Sequence, residues 1–263
     1  MAGYETLTLD TDARGVAILT LNRPDKHNAM NAAMIAELAD AAKRLAADEA
    51  VRVVVLAAAG PTFCAGGDLG WMRDQAAKDR QGKIDGATEL ALMLKALDEL
   101  PKPLIGRVQG NAFGGGIGLM SVCDIVVAVE GVQLALTETR LGLIPATIGP
   151  YVVRRIGEGH ARRFFLNARR FDVAAGRDIG LVSVVCPADE LDAAVEAEVA
   201  AFLECAPGAV ASAKTLVQAL ARDAADDPVG YSIGLLADRW ESDEGRAGIE
   251  AFLARQPMPW VKG

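Results

Sequence analysis

An α/β fold is predicted for this chain, and three observations predict it. Two glycine-rich bends, at 62–69 and 110–118, each follow a short apolar run, 51–56 and 104–108. Apolar runs of strand length alternate with segments of helical spacing through the first two thirds. The last third is helical in pattern throughout, apart from a short run at 182–185.

Taken in order, 5–9 and 16–21 flank Asp12-Ala13-Arg14-Gly15, the turn residues of an antiparallel hairpin. A loop at 22–28 leads to Met30, Met34, Leu38, Ala41, Ala42 and Leu45, apolar at helical spacing, and this helix should end near Asp48. A strand at 51–58 and the bend at 64–67 follow. The polar segment 73–86 carries few structural signals and reads as a mobile flap. A helix from about Thr88 to Leu100 is stopped by Pro101 and Pro103. Strands are expected at 124–129 and 133–136, and further helices at 189–204, 207–222, 228–240 and 243–254. Ile233, Leu236, Trp240, Ile249, Phe252 and Leu253 form stripes with no sheet of their own to cover, so self-association is expected. The division that follows is a core at 1–200 and a helical region at 201–263.

The bends have a chemical reading as well as a packing one. Glycines let a main chain approach a ligand closely, and a helix start presents unsatisfied N–H donors. Two such bends at two strand ends can offer two N–H groups to one oxygen, the arrangement of an oxyanion hole.

Composition narrows the field. The chain has 263 residues, 51% of them hydrophobic, enough for a large core. A net charge of −8 argues against nucleic acid or anionic membrane as partners. The N-terminus lacks a signal-peptide pattern and no apolar run approaches a membrane span, so the cytoplasm is expected. Cys64, Cys123, Cys186 and Cys205 are scattered without metal-binding spacing and are expected to be small buried hydrophobes, with no metal site.

Several ordered motifs together resemble the enoyl-CoA hydratase/isomerase, or crotonase, superfamily over nearly the whole chain. They are Leu21-Asn22-Arg23-Pro24 with Lys26 and Asn28-Ala29, Phe63-Cys64-Ala65-Gly66-Gly67-Asp68-Leu69, Lys102-Pro103-Leu104-Ile105 through Gly110 and Gly114-Gly115-Gly116 to Cys123-Asp124-Ile125, and Thr137-Glu138-Thr139-Arg140-Leu141-Gly142-Leu143-Ile144-Pro145. The resemblance implies a spiral of ββα units with a C-terminal helical region that builds homotrimers, commonly paired into homohexamers. It implies acyl-CoA substrates, coenzyme A being part of the substrate, with no separate cofactor. By position, the N–H groups of Gly67 and Gly115 would hold the thioester oxygen and Glu138 would be the catalytic carboxylate. Ala65, Gly66, Asp68, Leu69, Gly70, Gly114 and Gly118 would border the substrate, while Arg23 and Lys26 would reach the CoA phosphates.

Family hydratases commonly place a first glutamate where this chain has Gly118, so only Glu138 remains of the pair. One carboxylate can activate water for addition at C3 and return the proton to C2. It can equally carry a proton between C2 and C4, the isomerase reaction. The run 113–119 with 138–153 looks most like bacterial methylglutaconyl-CoA hydratases, which favours hydration. Two other classes were open. A nucleotide-dependent oxidoreductase fits the glycine pattern but not its late position in the chain, and Arg155 stands where a Tyr-x-x-x-Lys motif from Tyr151 needs lysine. A noncatalytic CoA-binding or assembly protein would differ in being indifferent to loss of Glu138.

His27 and His160 read as surface residues, and the arginine pairs 154–155, 162–163 and 169–170 as a solvated face. Trp71 and Met72 border the proposed flap and serve either the acyl chain or the core.

Overall fold

β-Branched and aliphatic runs without polar alternation form strands covered on both faces, and the chain is built around several of them. The computed structural model describes residues 3–261. Strands β1 (Leu7–Thr11) and β2 (Val16–Leu21) pair antiparallel, with the Asp12 carboxylate accepting from the N–H groups of Arg14 and Val16 in the turn. Helix α1 (Ala32–Ala47) starts at Asn31, whose side chain accepts from Met34 N–H, and it ends at Asp48. Its buried face is Met34, Ile35, Leu38, Ala41, Ala42 and Leu45.

From there the chain repeats a unit of long strand, short strand and helix. The first unit is β3 (Val53–Ala58), β4 (Thr62–Cys64), α2 (Leu69–Ala77) and α3 (Arg80–Asp98). The second is β5 (Leu104–Val108), β6 (Asn111–Phe113) and α4 (Gly115–Val122). The third is β7 (Ile125–Val129), β8 (Gln133–Ala135), a 3-10 turn at Glu138–Leu141, and α5 (Gly149–Phe165), which bends at Gly157. Then come β9 (Phe171–Asp172), α6 (Val173–Asp178), β10 (Val184–Cys186) and α7 (Leu191–Leu203). Long strands enter a six-stranded sheet in the order β1-β2-β3-β5-β7-β10, and short ones a four-stranded sheet, β4-β6-β8-β9. This is the ββα spiral of the crotonase fold.

Every residue of β3 is buried because both faces are covered. Val54 and Leu56 point into the main core with α1, α3 and α4, while Val53 and Val55 meet Leu191, Val195 and Val199 of α7 on the other side. Helix α7 thus belongs to the sheet it covers. Beyond it lie α8 (Pro207–Ala221), α9 (Pro228–Glu241) and α10 (Asp243–Leu253). Helix α8 is tied back by Lys214 to Asp124, at 2.7 Å, and by Arg222 to Asp98. Leu236, Trp240, Phe252 and Leu253 remain exposed.

Two expectations are corrected. Residues 73–86 are not a flap but the end of α2 and the start of α3, which begins at Arg80 and not near Thr88. Helix α2 and the first turns of α3 lack a buried apolar stripe and are started by caps, Asp68 accepting from Gly70 and Trp71 N–H and Asp79 from Gly82 N–H. Cys205 is exposed, unlike the other three cysteines, because it follows α7 where the chain leaves the sheet.

Candidate active site

The short sheet explains why distant motifs meet. Strands β4, β6 and β8 are adjacent and parallel, so their C-terminal ends lie side by side at strand spacing, about 4.8 Å. Each end runs directly into one predicted element: β4 into Ala65-Gly66-Gly67, β6 into Gly114-Gly115, and β8 into Leu136-Thr137-Glu138. Three successive turns of the spiral therefore deliver the two bends and the carboxylate to one place.

The bends approach each other main chain to main chain. A methyl group built on Gly66 would lie 3.6 Å from Gly115 N, and one on Gly115 would lie 3.8 Å from Gly66 Cα. Gly67 is held from behind: Met30 N–H donates to Gly66 O at 2.8 Å and Asp68 N–H to Met30 O at 2.9 Å, a parallel bridge. Among the described residues neither Gly67 N–H nor Gly115 N–H has an acceptor. Gly115 is also the first residue of α4, so its N–H lies at the positive end of the helix dipole.

Glu138 stands against the second bend. A methyl group on Gly114 would lie 3.0 Å from Glu138 Oε1, and Gly114 has φ +48° and ψ −113°, which only glycine adopts readily. The Oε2 atom of Glu138 is buried without a partner. Burial disfavours the charged carboxylate and raises its pKa above the ordinary 4.5, against a smaller lowering by its own N–H. A half-buried carboxyl with no ion pair among the described residues, beside two open N–H donors, is equipped to take and return a proton.

These groups open on a cavity of about 400 Å³ that Gly67, Gly115 and Glu138 all line. Its walls are mostly apolar, Met30, Trp71, Met72, Leu143, Ile144 and Ile148 among them. Trp71 and Met72 thus face the cavity, and Trp71 packs against the core as well. Gly118 lies outside this lining, one turn along α4 and buried. A Cβ there would meet Ile148 Cγ2 at 2.4 Å, so the isoleucine fills the space a side chain at 118 would need. Gln75, Lys83, Leu90 and the 143–148 segment also line the cavity. Sequence reasoning missed Gln75 and Lys83 because α2 and the start of α3 were not expected as helices, and it gave Leu90 and the 143–148 segment no lining role because the spacing Gln75, Lys83, Ala87, Leu90 carries no motif.

The remaining expected site residues are placed as follows. Arg23 pairs with Asp68 at 3.2 Å and donates to Ala29 O, bracing the loop against the first bend. Burial works to raise the Asp68 pKa, but hydrogen bonds from Trp71 N–H, Arg23 and Gly70 N–H outweigh it and hold the carboxyl low. Lys26 is exposed in a 3-10 turn, and Leu69 and Gly70 are exposed at the start of α2. Ala65 N–H donates to His27 O, and Gly66, with φ +94°, packs on Phe113 O. Buried Asn28 donates to Ala59 O and Thr62 O, both at 2.8 Å, joining this loop to β4. His160 is exposed, and Arg154 and Arg155 bind Asp98 and the carbonyl of Cys123 in place of forming a free basic face.

Known proteins share this architecture. The model of the family described as enoyl-CoA hydratase/isomerase matches residues 11–263. The chain is similar to the crystal structure of an enoyl-CoA hydratase from Shewanella pealeana, at 37% identity and a TM-score of 0.93, covering 98% of this chain and 96% of that one. It is similar to the structure of an enoyl-CoA hydratase from Mycobacterium smegmatis, at 33% identity and a TM-score of 0.90, covering 98% and 99%. An enoyl-CoA hydratase of Alternaria alternata, ACTT6, is 34% identical over 82% of this chain and 70% of its own length. With its glycine bends, its half-buried carboxyl and these relatives, the chain belongs to the enoyl-CoA hydratase/isomerase family as an enzyme of the enoyl-CoA hydratase type.

Proposed function

We propose that this enzyme adds water across the C2=C3 bond of an α,β-unsaturated acyl-CoA, of the branched 3-methylglutaconyl type, using Glu138 as its one acid–base group. The observation that carries the reading is Glu138 itself: a half-buried carboxyl, its Oε2 without a partner among the described residues, on the wall of the same cavity as the two open N–H groups. The thioester oxygen accepts from Gly67 and Gly115 N–H. Ionised Glu138 takes a proton from water as its oxygen bonds to C3; the C2=C3 electron pair moves toward the thioester, and negative charge collects on the oxygen held by the two amides. The protonated Glu138 then returns its proton to C2. The net change is addition of one water, with the carboxylate restored.

Coenzyme A enters as part of the substrate and no separate cofactor takes part. The exposed apolar residues of α9 and α10 are assigned to a homotrimer or a pair of trimers. One observation favours a second reading: among the described residues Glu138 is the single carboxylate on the cavity wall, position 118 being glycine, which also suits Δ3,Δ2-enoyl-CoA isomerisation. The absorbance of the conjugated thioester separates the two. It falls when crotonyl-CoA or 3-methylglutaconyl-CoA is hydrated and rises when a 3-enoyl-CoA is isomerised; no change with any of the three overturns both.

A further inference from the structure

The cavity has a polar end that the proton chemistry does not use. On α3, Lys83, Ala87 and Leu90 line it at i, i+4 and i+7, a stripe about 10 Å long from Lys83 to Leu90. Leu90 is buried, and α3 continues past it to Leu94, which lies near Gly118 of α4; Lys83 is exposed at the opposite end. Among the described residues, Lys83 and Glu138 are the two charged ones of the lining. Lys83 makes no ion pair among the described residues; its ammonium touches only the carbonyl of Lys78.

Gln75 reaches the same wall from α2. Its amide lies flat on Gly86, where a Cβ would meet Oε1 at 2.4 Å and Nε2 at 2.6 Å. Among the described residues its Oε1 is buried without a donor and its Nε2 has no acceptor. What this amide offers an acyl substituent is its free donor, Nε2, and a donor calls for an acceptor on the ligand.

We infer that Lys83 and the Gln75 amide recognise a carboxylate at the far end of the acyl group, so that the enzyme selects CoA monoesters of dicarboxylic acids. The carboxylate accepts from Gln75 Nε2 and pairs with the Lys83 ammonium, while the chain between lies along Ala87, Met72 and Ile144. This rests on the acyl-CoA reading above and names the residues that set substrate class within it.

Equilibrium binding tests it apart from turnover, using glutaryl-CoA and butyryl-CoA, saturated esters that cannot be hydrated. The wild-type protein is expected to bind glutaryl-CoA about tenfold more tightly, the size of one charge-assisted hydrogen bond. The ratio of the two affinities should fall toward one in Lys83→Gln and in Gln75→Leu, and survive in Lys83→Arg. A merely structural lysine would leave the ratio unmoved. Equal wild-type affinity for both esters, or a preference untouched by Lys83→Gln, overturns the inference and leaves the acyl-CoA reading standing. Failure of both esters to bind overturns the two together.

Discussion

Burial without an ion pair among the described residues disfavours the charged form of Glu138, so its proton leaves at a higher pH than that of a free side chain. As a base it must be ionised, and the rate should rise with pH through this raised value, traced by kcat/KM against pH. Glu138→Gln keeps the shape and removes the base. Turnover should drop by about 10² to 10⁴, with butyryl-CoA affinity retained by calorimetry. Folding is linked to the same proton. Because the folded pKa lies above the unfolded one, the native state binds the proton more tightly, and stability declines as pH rises from the unfolded toward the folded value. Glu138→Gln should flatten that part of the stability profile, read by urea titration at several pH values. Gly118 presents the opposite problem, a side chain with no room. Gly118→Glu should lose at least about 1–3 kcal/mol by overpacking against Ile148, and Ile148→Ala should recover part of the loss in thermal melts.

Among elements, β4, β6 and β8 matter most, since their parallel pairing turns three distant segments into one site. The loop before α1 and the start of α2 hold the first bend in register through Asn28, Arg23 and Asp68. Asp68→Ala removes the cap of α2 and the partner of Arg23, at a cost of about 1 kcal/mol at neutral pH. Asp68 has a folded pKa below its ordinary value, so its contribution is present above the unfolded value and lost as pH falls through the folded one. The gap between wild type and Asp68→Ala in chemical denaturation should therefore close on acidification. These elements were unevenly legible. The hairpin, α1 and the C-terminal helices follow from turn residues and periodicity, whereas α2 and the start of α3 are polar on most sides and depend on Asp68 and Asp79 as caps and on the cavity wall they complete.

At the scale of the whole molecule, the spiral places one long strand in the large sheet and one short strand in the small one at each turn, with α7 sealing the outer face. Helices α8 to α10 are joined to it largely by polar contacts, such as Lys214 with Asp124 and Trp260 Nε1 donating to Glu204 O. Their apolar residues face outward, with Phe252 71% and Leu236 58% exposed. If that surface is the proposed assembly face, Leu236→Asp with Phe252→Asp should lower the mass measured by light scattering, and an unchanged mass would rule it out as the contact.

The sequence by itself determined the alternation of strands and helices, the two glycine bends, the single carboxyl of the Glu138 motif and the vacancy of a glutamate at 118, because each is written in local spacing or in side-chain identity. Only the tertiary structure decided that the bends touch, that Ile148 fills the space beside Gly118, that Arg23 is engaged by Asp68, and that Gln75 and Lys83 share the wall of Glu138. Those are contacts between segments tens of residues apart, created when parallel strands align their ends and helices close over them, and no local pattern in the chain encodes such distances.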